Sequence, residues 1–151
     1  MRDLESGSVG LAANFRHADG QRSRRSSRYS NLEAMIYRIG RELLRNAFRH
    51  AQAKLIEVEV RYSAQEFRLR IRDDGIGLDP RVLDTGARNG HWGLPGVRER
   101  AKLIGARLDL WSQATAGTEV QITVPASLAY LSARNFRPFR LLRRLTHFYA
   151  D

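Results

Sequence analysis

The sequence predicts an α+β fold, a two-layer α/β sandwich with helices on one face of a largely antiparallel, mixed sheet. Three observations point there. Four segments alternate apolar and polar residues with period two, the pattern of strands with one face on a core and one in water. Two segments carry apolar residues at helical spacing. The order is helix, strand, strand, loop, helix, strand, strand, and each strand pair is joined by a connection short enough for a hairpin.

Taken in order, residues 1–30 are poorly patterned, and the Ser/Arg-rich stretch "GQRSRRSSRYS" reads as a basic, flexible N-terminal arm. Regular structure is expected from residue 31, with Asn31 as a helix cap and a helix from Leu32 to about Ala51. In "KLIEVEVRY" the residues Ile56, Val58, Val60 and Tyr62 share a face; in "EFRLRIRD" Phe67, Leu69 and Ile71 do. The intervening "SAQ" suits an antiparallel hairpin. From Gly75 to Trp92 the chain is rich in Gly, Asp and Asn and reads as a loop. Leu94, Val97, Ala101 and Ile104 then recur at helical spacing up to Gly105, a left-handed cap. "ARLDLWSQ" and "TEVQITVP" are two more strands joined by "ATAG". The tail, residues 126–151, mixes Arg with Phe and Leu around Pro138. Three readings of it stay open: a basic amphipathic helix for a membrane or partner, a helix packed on the domain, or disorder.

Composition limits the function classes. There is no cysteine, so disulfides and thiolate metal sites are excluded. No apolar run is long enough for a membrane span and no leader is evident, so the cytoplasm is the expected compartment. The net charge is +10, but residues 31–125 carry only +3 of it and the two ends +7. Nucleic-acid or membrane contact is therefore a possibility for the tails, beside the plainer reading of solvated ends.

Four polar features fall on the wrong side of these patterns. Asp73 has the parity of Phe67, Leu69 and Ile71 and should face the core. A buried carboxylate needs hydrogen-bond donors, and an amino group such as adenine N6 would serve, as would the backbone of its own turn. Thr118 shares parity with Val120, Ile122 and Val124 and also faces inward. On the first helix Glu42, Asn46 and Arg49 lie within about 60° of one another, with His50 slightly further round. Acid and amide oxygens one turn apart suit Mg²⁺, directly or through water; a solvated helix flank is the alternative. Finally, Gly93 and Gly96 bracket a helix start, where unpaired amides suit phosphate, although the same glycines would serve a tight turn.

"RELLRNAFRHA", "DDGIGLD", "GHWGLPGVRERAKLIGARLDLWS" and "AGTEVQITVP" together resemble the successive boxes of the ATP-binding (catalytic) domain of two-component sensor histidine kinases, over roughly residues 32–125. The wider superfamily of gyrase, a heat-shock chaperone and mismatch-repair ATPases shares the Bergerat ATP-binding fold. The resemblance implies ATP and Mg²⁺ as cofactors. It implies that Asn46 coordinates the metal, that Glu42 is the acid one turn before it, and that both serve catalysis. It assigns His50 to the first box, and Asp73, Gly75 and Gly77 to the adenine-reading box. It gives Gly93, Leu94 and Gly96 to phosphate binding, residues 79–92 to a mobile lid, and Thr118 to the adenine side.

Asp74 stands where the family more usually has Asn. No segment resembles the family's dimerisation helices with their phosphoacceptor histidine. The expected activity is therefore ATP phosphoryl transfer with little self-phosphorylation. The expected partners are a histidine-containing dimerisation domain or kinase chain and, indirectly, a response regulator. The rivals are a protein-serine kinase like anti-sigma-factor kinases, and a non-catalytic ATP-binding module with basic tails.

Overall fold

The computed structural model describes residues 10–17, 30–78, 93–129 and 143–145. They form β1 (Gly10–His17), α1 (Ser30–His50), β2 (Leu55–Tyr62), β3 (Glu66–Asp73), α2 (Leu94–Leu103), β4 (Arg107–Gln113), β5 (Gly117–Pro125) and the short α3 (Ala126–Ala129). The strands make one five-stranded sheet in the order β1-β2-β3-β5-β4. β1 runs parallel to β2, and every other pair is antiparallel. The two-layer α+β architecture and the mixed, largely antiparallel sheet are as the sequence predicts.

The alternation sorts as expected. Ile56, Val58, Val60, Phe67, Leu69, Ile122 and Val124 are fully buried on the inner face, under Ile36, Ile39 and Leu44 of α1 and Val97 of α2. The outer face carries a ladder of charge. Arg70 bonds Glu59 at 2.9 Å and lies 3.2 Å from Glu119, while Arg68 pairs with Glu66. Arg68 and Arg70 of β3 thus meet acids on their own sheet.

The turns follow from their residues. Ser63 Oγ accepts from Gln65 and Glu66 backbone N–H and closes the β2–β3 hairpin. After α2, Gly105 (φ 66°) donates to Lys102 O while Ala106 donates to Ala101 O, a Schellman pair that only a left-handed residue permits.

The N-terminal segment departs from expectation. Residues 10–17, assigned to a flexible arm, add a strand to the edge of β2, so the sheet begins before residue 31. Helix α1 lies between the two strands in the chain and brings it back to the same end of the sheet, which makes the pair parallel. In the basic C-terminal tail, residues 143–145 are helical and Leu145 is fully buried. A Cβ on Gly40 would lie 3.0 Å from Leu145 and 3.2 Å from Leu69, so Leu145 occupies the notch that Gly40 leaves between α1 and β3. Arg144 sits 4.2 Å over the Tyr37 ring. Of the three readings of the tail, packing on the domain holds for these residues; the rest of the tail lies outside the described residues.

Candidate functional site

Asp73 ends β3 on its inner face, paired in register with Ile56 on one side and Thr118 on the other. It is only 6% exposed. Its Oδ1 accepts from Gly75 N at 3.0 Å and from Thr118 N at 3.2 Å. Asp73 therefore does close its own turn. Both bonds fall on one oxygen, however, and Oδ2 takes no hydrogen bond among the described residues. Burial raises the Asp73 pKa above its usual value, the two backbone N–H bonds pull it back, and Asp74 next door raises it again.

The chain after Asp73 is fastened on both sides. Asp74 Oδ1 accepts from Lys54 N at 2.8 Å and Leu55 N at 2.9 Å, which ties the turn to the start of β2. An Asn side-chain oxygen would accept the same two bonds, so either residue fits here. Ile76 N donates to Ala51 O beyond the end of α1, and Thr115 N donates to Ile76 O from the β4–β5 turn. The glycines fit these close approaches. A Cβ on Gly75 would lie 2.1 Å from Ala51 O, and one on Gly77 (φ 77°) 2.3 Å from Gln113 O.

This turn forms one wall of a pocket of about 460 Å³, counting the solvent at its mouth. Asp73 and Thr118 stand at the sheet end, Asn46 and Leu43 come from α1, and Leu94 from the start of α2; Gly77 and Leu78 lie along the turn. The remaining lining is apolar, from Ala47, Ala51, Ile71 and Val120. A mostly apolar cleft with a few convergent polar groups is the usual form of a small-molecule site.

Not every candidate residue reaches the pocket wall. Glu42 pairs with Arg45 at 2.5 Å and packs against Gly93, where an added Cβ would lie 2.0 Å from its Oε1. The acid thus sits at the N-terminus of α2, where a negative charge is favoured. Gly93 is left-handed (φ 62°) and α2 has no side-chain cap, with Pro95 in its first turn. Gly75, Gly93 and Gly96 shape the approach without lining the pocket, while Arg49 is exposed at the end of α1. His50 is half-buried there and is not among the lining residues. The lid expected at residues 79–92 lies outside the described residues.

Sequence reasoning passed over Ser112. Its Oγ accepts from Leu78 N at 2.7 Å, lies 3.0 Å from Thr118 Oγ1, and is 3.1 Å from Gly117 O. The signal was available: Ser112 has the parity of Leu108 and Leu110, so a hydroxyl at that position points inward.

The family described as "Histidine kinase-, DNA gyrase B-, and HSP90-like ATPase" matches residues 31–128. The chain belongs to this family. Over that span it is an ATP-binding domain of the kind found in sensor histidine kinases. It is 37% identical over 98 residues to an uncharacterized sensor-like histidine kinase of Chloroflexus aurantiacus, a match covering 64% of this chain and 16% of that protein. It is 34% identical over 94 residues to the sensor protein NarQ homolog of Haemophilus influenzae, covering 62% of this chain and 16% of that one. The chain therefore matches only the ATPase part of those longer kinases. The histidine kinase domain of a blue-light activated histidine kinase from Erythrobacter litoralis shares the ATPase-family fold, with a TM-score of 0.59 at 24% identity over 87% of this chain and 58% of that one.

Proposed function

We propose that the chain binds ATP with Mg²⁺ in the pocket beside Asp73 and supplies the phosphoryl donor to a histidine on another segment or chain, as the catalytic domain of a two-component kinase. One observation carries the reading. Asp73 is buried, its Oδ1 is held by two backbone donors, and among the described residues its Oδ2 has no hydrogen-bond partner at the wall of an apolar pocket. That oxygen accepts from the exocyclic amino group of adenine, and the apolar walls take the faces of the ring.

The residues present also fit the metal. Asn46 places a side-chain amide on the pocket wall from α1, and Mg²⁺ is typically held by one or two protein ligands together with phosphates and water. The described residues hold no cluster of three or more His, Cys, Asp or Glu that would form an all-protein metal cage. When bound, the ion offsets the charge that develops on the phosphates. Glu42 packs on Gly93 at the start of α2, beside Leu94 of the pocket wall, and the unpaired amides of a helix start suit phosphates there. His50 stands at the end of α1, outside the pocket wall. None of the described helices is long and apolar enough to cross a membrane, and a cytoplasmic ATP pool suits the reading.

Calorimetric titration of the whole chain with ATP and Mg²⁺ tests the proposal. The wild type is expected to bind. In Asp73→Asn the amide oxygen keeps the bonds from Gly75 and Thr118, which turns the NH₂ toward the pocket, donor against donor. Affinity should fall by about tenfold or more, the scale of a lost charged hydrogen bond. Absence of binding by the wild type, or equal binding by the variant, would refute the reading.

A further inference from the structure

The family resemblance gives Ser112 no role, yet three polar atoms meet at its hydroxyl. Leu78 N–H lies 2.7 Å from Oγ, Thr118 Oγ1 lies 3.0 Å away and Gly117 O lies 3.1 Å away. A serine hydroxyl has one proton to give and two lone pairs to accept with. A carbonyl can only accept and a backbone N–H can only donate. One allocation makes all three bonds: Leu78 N–H donates to Ser112, Ser112 donates to Gly117 O, and Thr118 O–H donates to Ser112. Turning the serine proton toward Thr118 instead would abandon Gly117 O.

This allocation spends the Thr118 proton on Ser112. The lone pairs of Thr118 Oγ1 are what remain for the pocket, whose wall Thr118 shares with Asp73. Resting on the ATP reading above, we infer that Ser112 is a positioning residue that fixes Thr118 as a hydrogen-bond acceptor. The base site then presents two acceptors, Asp73 Oδ2 and Thr118 Oγ1, which select a 6-amino purine against a 6-oxo purine. The same hydroxyl also holds the backbone of Leu78 on the pocket wall.

The inference separates from general stability because freeing the Thr118 hydroxyl changes what it can recognise. In Ser112→Ala the threonine proton loses its acceptor and can rotate to donate to a 6-oxo group. The test is the affinity of the full chain for ATP and for inosine triphosphate, both with Mg²⁺, measured by calorimetry. The wild type should prefer ATP. Ser112→Ala should reduce the ATP-to-ITP affinity ratio by about fivefold or more, the scale of one neutral hydrogen bond. Ser112→Thr, which keeps a hydroxyl, should restore the wild-type ratio. Thr118→Val should lower the ratio by itself, and adding Ser112→Ala to it should lower it no further.

An unchanged ratio in Ser112→Ala, or an equal loss of affinity for both nucleotides, would overturn the inference. If Ser112→Ala does not fold, an unchanged ratio in Thr118→Val overturns it as well. A wild type that binds neither nucleotide overturns the ATP reading and this inference with it. Wild-type binding with an unaltered ratio in the variants overturns the Ser112 assignment alone.

Discussion

Asp73 and Asp74 are neighbours in sequence with opposite surroundings. Burial raises the pKa of Asp73, whereas the N–H of Leu55, and then that of Lys54, lower that of Asp74 below its usual 3.8. A carboxylate with a lowered folded pKa contributes stability in full above its unfolded value, and that contribution disappears as pH falls through the folded value. Asp74 should therefore support the fold above about pH 4 and lose that support below it. Asp73 has the opposite sign, so its protonation does not add to the acid loss. Asp74→Asn keeps an oxygen for both donors. Its stability in urea should consequently fall less than that of the wild type when the pH is lowered from 5 to 3, about the range that brackets the unfolded value. Parallel declines would show that the carboxylate charge plays no part. The direction of Asp73 was legible in the sequence from parity alone, because a two-residue period fixes the face. The partners of Asp74 were not legible. They are backbone groups 19 and 20 residues away, brought alongside only by the β2–β3 pairing.

At the level of elements, the loop after β3 and the C-terminal tail are both held by contacts that propensity cannot show. The resemblance assigns Gly75 and Gly77 to the adenine-reading box, but their tightest neighbours are backbone carbonyls of Ala51 and Gln113. Gly75→Ala should cost about 1–3 kcal/mol of stability, because the carbonyl it meets belongs to the main chain and cannot rotate away. A urea midpoint equal to wild type would contradict this packing. Gly40 has a similar hidden cause. Glycine inside α1 is a poor helix former by about 1 kcal/mol relative to alanine, and its place is explained by Leu145, which fills the space above it. Leu145→Ala should destabilise the chain by about 2–5 kcal/mol, the range for a buried leucine, while Arg144→Ala should cost about 0.5–1 kcal/mol. Denaturant unfolding of the two variants checks the contrast, and a harmless Leu145→Ala would remove the tail from the core.

For the whole molecule, the four alternating strands and two helices were legible because each has a face in water. β1 was not, since its place in the sheet comes from backbone pairing with β2 and the return of α1 rather than from a clear side-chain pattern. Its position separates two properties of the molecule. The pocket lies where β3 meets β5, while β1 closes the far edge beyond β2. Deleting residues 1–29 removes β1 and bares the N–H and C=O groups on one side of Leu55–Tyr62, an edge open to pairing with another chain. The shortened chain should associate more strongly than the full chain as its concentration rises, seen as steeper growth in light scattering. Its affinity for ATP should nevertheless match that of the full chain, since none of the residues lining the pocket is deleted. A deletion that abolishes ATP binding while the chain remains folded by circular dichroism would place the N-terminal segment in the site. A deletion that leaves scattering flat would mean that the β2 edge needs no cover.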